Sequence, residues 1–281
     1  MAQTKSEIQS LLAGVNSTGP RHRFGQNFMI DGNLVRLVAD AGELSAADWC
    51  LEVGPGTGTL TEELIARAGR VTAVEIDRDL ARLLRERLAD RATFQLVEGD
   101  ALASKHELNP ELAATIVQAR AAGLVPKLVA NLPYNIASPL VIELLIAGVE
   151  LLAFTVQKEV ADRFKGAAGS DDYGPLTVMA QLLGKVEVMR TLPPQAFWPA
   201  PKIDSALVRV RRDDRLGDGV RSFEKFVHGV FSFRRKTLRK AIDQAGYDAA
   251  RVLEKSGFDG TLRPEVFTPD QWRAMWETTR G

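Results

Sequence analysis

Cysteine is almost absent from this 281-residue sequence, and its scarcity excludes two kinds of site. A disulfide framework needs pairs of cysteines and a thiolate metal cluster needs several, but the chain has only Cys50. Cys50 lies in the apolar run WCLEV, so we interpret it as a small buried hydrophobe. Histidine is also scarce, and His22, His106 and His228 do not have the spacing of metal ligands. We therefore predict no metal site.

Long hydrophobic runs are absent too. No apolar stretch approaches the roughly 20 residues that a membrane-spanning helix needs, and residues 1–19 lack the apolar core of a signal peptide. We therefore expect a cytoplasmic protein with no membrane contact. With 45% hydrophobic residues, the chain can form one large domain or two unequal ones. Nothing in the sequence indicates oligomerisation, and we expect a monomer.

The sequence has no net charge, because 36 basic residues balance 36 acidic ones, but the charges are unevenly distributed. Residues 202–240 contain twelve basic and five acidic residues, which leaves this stretch at +7 and the rest of the chain at −7. Such a run favours a nucleic-acid partner, although a solvated face is the plain alternative.

Short apolar runs alternate with helical patterns through the first two-thirds of the chain. The runs lack strict alternation of polar and apolar residues, which is typical of strands buried on both faces. They lie at residues 49–53, 71–75, 93–98, 127–131 and 151–157. Strands separated by helices form βαβ units, so we predict an α/β fold with a Rossmann-like, mostly parallel sheet. Two later runs, 186–192 and 206–212, predict an antiparallel hairpin that closes the sheet edge.

The polar, glycine-rich stretch DDRLGDG (213–219) indicates a domain boundary. We predict one domain over residues 1–213, in which 1–24 is an N-terminal extension, and a small α-helical domain over 214–281. Four amphipathic patterns support the helical domain: RSFEKFVHGVFSF, RRKTLRKAIDQAG, AARVLEKSG and TPDQWRAMWETTR. The long connection 101–126 contains a further predicted helix.

Residues that suit a nucleoside cofactor follow three successive strands. Gly54 and Gly56 lie in EVGPGTG, a strand-to-helix turn whose glycines let the backbone approach a ligand closely. Glu75 ends the second strand and can accept both hydroxyls of a ribose, while Asp100 follows the third strand and can hold an adenine amino group. Singly, each acidic residue could be a turn residue exposed to solvent. Together they indicate a cleft at the carboxyl edge of the sheet.

These motifs, with NLPY (131–134) after the fourth strand, resemble a class I S-adenosylmethionine-dependent methyltransferase. More narrowly, the chain resembles the 16S ribosomal RNA adenine N6,N6-dimethyltransferase family, often called KsgA or RsmA. Further matching segments are GQNFM (25–29), QKEVADRF (157–164), YGPLTV (173–178), FWPAPKIDSALV (197–208), FSFRRKTLRKA (231–241) and RPEVF (263–267). The resemblance implies S-adenosylmethionine as cofactor. It also implies cofactor contacts by Asn27, Met29, Gly54, Gly56, Glu75, Asp100, Ala101 and Asn131.

In such an enzyme, NLPY suits an adenine clamp. The exocyclic amine of adenine is a poor nucleophile because its lone pair is delocalised, and acceptors aimed at its N–H groups turn that lone pair outwards. The side-chain oxygen of Asn131 and the carbonyl of Leu132 can be those acceptors, and Pro133 fixes where the carbonyl points. Tyr134 offers a stacking face. Phe197 is a candidate for the second face of the base, or else a core aromatic.

The basic segment then becomes a candidate RNA contact. We predict that Arg234, Arg235, Lys236, Arg239 and Lys240, here called the basic cluster, lie at the start of a helix and bind phosphates. Arg21, His22 and Arg23 could add contacts near the active-site mouth.

The resemblance implies transfer of four methyl groups to two adjacent adenines near the 3′ end of 16S rRNA, within a precursor of the small ribosomal subunit. Three alternatives remain open: a Rossmann dehydrogenase, a 23S rRNA methyltransferase of the antibiotic-resistance type, and a mainly non-catalytic assembly factor.

Overall fold

The computed structural model of the protein describes residues 3–15, 19–21 and 24–280. The strands within these ranges are numbered in chain order: β1 (Phe28–Met29), β2 (Asp48–Val53), β3 (Arg70–Glu75), β4 (Phe94–Glu98), β5 (Leu102–Ser104), β6 (Glu107–Leu108), β7 (Val125–Asn131), β8 (Leu151–Gln157), β9 (Gly184–Leu192), β10 (Phe197–Trp198) and β11 (Ser205–Arg212). The α-helices are α1 (Lys5–Val15), α2 (Gly32–Ala41), α3 (Thr59–Ile65), α4 (Arg78–Arg87), α5 (Pro110–Ala121), α6 (Ala137–Ile146), α7 (Lys158–Lys165), α8 (Pro175–Leu183), α9 (Val220–Phe231), α10 (Leu238–Gln244), α11 (Ala249–Ser256) and α12 (Pro269–Glu277). None of these helices combines the length and the hydrophobicity needed to cross a bilayer.

A seven-stranded sheet in the order β4-β3-β2-β7-β8-β11-β9 forms the centre of the fold. The strands from β4 to β8 are parallel to their neighbours, and β11 runs antiparallel to β8. All six residues of β2 are buried, as expected of a strand covered on both faces. The predicted α/β class with a mostly parallel sheet is confirmed, and the two late runs form β9 and β11 at the sheet edge.

The strand register brings the carboxyl ends of the parallel strands to one edge. Val53 of β2 lies beside Val74 of β3, and Glu75 lies beside Glu98 of β4. On the other side, Asn131 at the end of β7 lies beside Thr155 of β8. Segments far apart in sequence therefore emerge next to one another, which is where open α/β sheets bind ligands.

The chain forms two compact units, and neither is a single stretch of sequence. The first contains Met1–Ala161 and Glu187–Arg212, and the second contains Asp162–Val186 and Asp213–Gly281. The predicted division placed all of residues 1–213 in one domain, but 162–186 belong with the second unit. The reason is packing: α8 contacts α9 and α12, and the Tyr173 hydroxyl donates a hydrogen bond to the Phe267 carbonyl at 2.6 Å.

The second unit is helical, with a core of aromatic side chains. Phe231 stacks on Trp272 with ring centroids 4.9 Å apart, and Phe226 packs edge-on against the same indole. One predicted helix start is wrong. The pattern RRKTLRK suggested a helix from Arg234, but α10 begins at Leu238 because Thr237 has an extended backbone (φ −64°, ψ 153°). The first three residues of the basic cluster therefore lie in the turn between α9 and α10.

Candidate functional site

A cavity of about 250 Å³ lies in the first unit, at the carboxyl edge of the parallel strands. Its walls come from the ends of β2, β3, β4 and β7 and from the segment 24–29 that contains β1. Nearly all of the residues that the sequence assigned to the cofactor and the clamp line it: Asn27, Met29, Gly54, Gly56, Glu75, Asp100, Ala101, Asn131, Leu132, Pro133 and Tyr134. The structure thus brings together five segments that are separated by up to about a hundred residues.

Phe197 is not among the lining residues. It is 2% exposed, belongs to the hydrophobic core and pairs with Met29 across the β1–β10 ribbon. Its ring therefore does not face the cavity as a second stacking surface. The described conformation gives it the role of a core aromatic, the alternative that the sequence left open.

The glycine turn after β2 has no room for side chains. Gly54 and Gly56 have φ angles of +72° and +63°, a region that residues with a Cβ rarely adopt. A Cβ on Gly54 would meet the Pro133 ring at 3.3 Å, and one on Gly56 would meet the Phe28 ring at 2.9 Å. Bare backbone at these positions lets the turn lie against both NLPY and the β1 segment.

Glu75 is held by the turn on one side and by its own loop on the other. Its carboxylate accepts hydrogen bonds from the backbone N–H groups of Gly56 at 3.1 Å and Asp77 at 2.8 Å. Burial, which leaves the residue 4% exposed, raises the pKa of Glu75 to about 7, although these two hydrogen bonds act in the opposite direction. The carboxylate therefore titrates near neutral pH.

Glu52, the last but one residue of β2, is a second buried carboxyl group on the cavity wall. Its Oε2 atom has no hydrogen-bond partner within the part of the chain that the structure describes. The pKa of Glu52 is raised to about 8, chiefly by burial; the Thr61 hydroxyl acts in the opposite direction, and the charge of Glu75 adds to the rise. Glu52 therefore keeps its proton at neutral pH in the free protein.

Asp77 joins the β1 segment to the end of β3. Its carboxylate accepts hydrogen bonds from Arg21 at 2.6 Å and from the Gln26 side chain at 2.9 Å. Arg21 also pairs with Asp79, so its charge is balanced by two carboxylates and it links its own segment to the residues that follow β3. The RNA contact by Arg21 stays a prediction, and the other two residues of that prediction, His22 and Arg23, lie outside the described residues.

The amide of Asn131 is oriented by two partners. Its Nδ2 donates to the backbone carbonyl of Asn27 at 2.7 Å, and its Oδ1 accepts a hydrogen bond from the Thr155 hydroxyl. The Tyr134 hydroxyl lies 2.8 Å from the Ser205 hydroxyl, which fixes one end of its half-buried ring. Both side chains of NLPY that the clamp uses are therefore held by β8, β11 and the β1 segment.

Asp100 is exposed at the cavity mouth, and its carboxylate accepts a hydrogen bond from the Leu102 backbone N–H at 3.0 Å.

In the second unit, all five residues of the basic cluster are exposed. The ion pairs between described residues include none of them. Their positive charge thus faces solvent.

Comparison with known proteins identifies relatives over almost the full length. The family model for ribosomal RNA adenine dimethylase matches residues 18–275. Ribosomal RNA small subunit methyltransferase A of Magnetococcus marinus is 43% identical over 274 residues, which cover 95% of each chain. The protein of that name from Pseudomonas putida is 38% identical and covers 87% of this chain and 89% of its own.

This chain belongs to the ribosomal RNA adenine dimethylase family. Membership confirms the predicted family and excludes the dehydrogenase alternative. The crystal structure of the 23S rRNA methyltransferase ErmE is also similar to this dimethylase, with 30% identity, a TM-score of 0.66, and coverage of 91% of this chain and 100% of that one. A dimethyladenosine transferase from Plasmodium falciparum has the same fold, with 22% identity, a TM-score of 0.71, and coverage of 88% of this chain and 95% of its own.

The sequence did not single out several residues that shape the site of this dimethylase. Thr155 and Ser205 hold the clamp side chains, Asp77 braces the β1 segment, and Glu52 adds a buried carboxyl group. Glu52 carried a signal, since it is the acidic residue that opens EVGPGTG. Thr155 and Ser205 carried none, because each is a single hydroxyl in an ordinary strand.

Proposed function

We propose that this protein is an rRNA adenine dimethyltransferase that uses S-adenosylmethionine. Its substrate is N6 of two adjacent adenines near the 3′ end of 16S rRNA, within a precursor of the small ribosomal subunit. The names of its relatives support this choice, because the proteins that are 34–43% identical to it are called ribosomal RNA small subunit methyltransferase A.

One observation carries the proposal. The cofactor residues at the ends of β2, β3 and β4 and the NLPY segment at the end of β7 line a single cavity. A methyl donor held by the first group would lie beside an adenine held by the second. Positioning two reactants in this way removes much of the entropic barrier of a bimolecular reaction.

The residues present fit S-adenosylmethionine. Gly54 and Gly56 leave bare backbone at the cavity wall, Glu75 presents a carboxylate that suits a ribose diol, and Asp100 is placed for the adenine amino group. When bound, S-adenosylmethionine supplies a methyl group activated by a sulfonium.

The clamp residues act on the target adenine. The Leu132 carbonyl and the Asn131 Oδ1 accept hydrogen bonds from its amine, which favours a pyramidal nitrogen with its lone pair turned outwards. An amide oxygen has two lone pairs, so the Thr155 hydroxyl leaves one of those on Asn131 for the substrate. Tyr134 stacks on the base and contributes about 1–3 kcal/mol. The mechanism needs no general base, because the amine becomes acidic as it is alkylated and loses its proton to water.

RNA binding is assigned to the second unit. A base inside a duplex cannot reach the cavity, so the target adenines must be unpaired or flipped out. The exposed charges of the basic cluster suit phosphates of the surrounding RNA. In this proposal the first unit is the methyltransferase domain and the second is the ribosome-binding domain. We expect the protein to work as a monomer in the cytoplasm.

The similarity to ErmE favours one alternative, a 23S rRNA methyltransferase. The two functions differ in substrate, so labelled S-adenosylmethionine is incubated separately with undermethylated 30S and with 50S particles, and the modified nucleotides are mapped. We expect dimethyladenosine at two adjacent positions of 16S rRNA. Label in 23S rRNA alone would support the alternative. Binding of precursor particles without label would instead support the assembly-factor role.

A further inference from the structure

The N-terminal helix α1 packs behind the wall of the cavity. Ile8 and Leu12 are 0% and 1% exposed, and they form a cluster with Phe28, Leu80 and Leu83. Two members of this cluster, Phe28 and Leu80, also line the cavity. One layer of side chains therefore separates α1 from the space assigned to the cofactor.

Gln3, just before this helix, is hydrogen-bonded to the glycine turn. Its Nε2 donates to the Thr57 carbonyl at 3.1 Å, and the Thr57 hydroxyl donates to its Oε1 at 2.6 Å. Both residues are buried, and Thr57 lines the cavity between Gly56 and Gly58. A side-chain amide that binds both the carbonyl and the hydroxyl of one residue fixes the backbone and the side chain of that residue together.

The start of α1 fixes the place of Gln3. The Thr4 hydroxyl and backbone N–H both donate to the Glu7 carboxylate, and the Glu7 N–H lies 3.3 Å from the Thr4 hydroxyl oxygen. This is a capping box, a motif that sets the angle at which the chain enters a helix. The capping box thereby holds Gln3, the residue before it, in position.

We propose that Gln3 is a positioning residue of the cofactor site, which holds the glycine turn in its binding-competent form through Thr57. The proposal rests on the proposed binding of S-adenosylmethionine. Gln3 does not line the cavity, so its effect must pass through the turn. The family match begins at residue 18, so α1 adds this support from outside the matched region.

The size of the effect is limited by a second donor. Arg87 also donates to the Thr57 carbonyl, at 2.8 Å, so this oxygen stays paired when Gln3 is lost. The Thr57 hydroxyl then loses its acceptor. Because the loss of one hydrogen bond typically shifts an equilibrium by about 1 kcal/mol, we expect the competent fraction, and with it the affinity, to fall by up to about five-fold.

The test compares two glutamine-to-methionine substitutions in the full chain. Gln3→Met keeps the length of the side chain and removes its amide, whereas Gln9→Met makes the same change at an exposed position of α1. Calorimetry measures the dissociation constant of S-adenosylmethionine, and thermal denaturation measures folding. We expect weaker binding for Gln3→Met only, with a raised KM for S-adenosylmethionine rather than a lowered kcat.

A double-mutant cycle with Thr57→Val tests the route of the effect. If Gln3 acts through Thr57, the two losses of affinity are smaller in combination than their sum predicts. Equal affinities of Gln3→Met and Gln9→Met, in a protein whose wild type binds S-adenosylmethionine, overturn the inference. Fully additive losses overturn it as well. A wild type that does not bind S-adenosylmethionine overturns the proposed function itself, and the inference falls with it.

Discussion

Cofactor binding should depend on pH through Glu75. Its carboxylate already accepts the N–H groups of Gly56 and Asp77, and only the ionised form has enough lone pairs to accept two ribose hydroxyls as well. Because burial raises the pKa of this group to about 7, the free protein is a mixture of both forms near neutral pH. S-adenosylmethionine should therefore bind better as the pH rises.

The magnitude follows from the fraction that is ionised. With a pKa of about 7, about one molecule in ten is ionised near pH 6 and about nine in ten near pH 8, so the apparent affinity should rise about ten-fold over this interval.

Stability should change in the opposite direction. The ordinary pKa of this carboxyl group is 4.5, so between pH 4.5 and about pH 7 the Glu75 side chain is ionised in the unfolded chain but keeps its proton in the folded one. The free energy of unfolding of the free protein therefore falls with rising pH, by about 3 kcal/mol.

Calorimetric titration of the wild type and of Glu75→Gln at about pH 6, 7 and 8 tests this reasoning. Glu75→Gln should bind weakly and with little pH dependence. Glu86→Gln is the matched control, because it makes the same change at an exposed position of α4 outside the cavity and should keep the slope. A wild-type affinity that is flat across this range, or a slope that survives in Glu75→Gln, would refute the assignment of Glu75 to the ribose.

Three further predictions concern the clamp and the basic cluster. Asn131→Ala should abolish methyl transfer while the affinity for S-adenosylmethionine stays within several-fold; near-normal turnover would remove the clamp from the mechanism. Thr155→Val, which removes one hydroxyl at the same volume, should lower the single-turnover rate constant of methyl transfer about five- to ten-fold, because the Asn131 amide loses an orienting hydrogen bond; an unchanged rate constant would show that the contact with Asn27 alone suffices. Neutralising the basic cluster should weaken RNA binding and flatten its salt dependence by roughly 0.7–0.9 per lost phosphate contact; an unchanged slope would mean that these residues form only a solvated face.

Patterns along the chain were enough to predict the sheet and most of the cavity. Strands buried on both faces are recognisable as apolar runs, and the carboxyl ends of parallel strands lie at the same edge of a sheet. These two rules predict that Gly54, Glu75 and Asp100 lie close together. The helical nature of the second unit followed in the same way from amphipathic periodicity. Such signals are local, and each depends on only a few neighbouring residues.

Other features were decided only by tertiary structure. Phe197 could have faced the base or the core, and only the pairing of β10 with β1 buries it. The sequence predicted residues 162–186 to be part of the first domain, but α8 packs against α9 and α12 of the second unit. The sequence could not show that Gln3 and Thr155 contact Thr57 and Asn131, because a hydrogen bond between distant residues leaves no periodic pattern in either segment. Sequence alone thus determined that the site lies at the carboxyl ends of the parallel strands, whereas the tertiary structure determined which side chains hold the site residues in position.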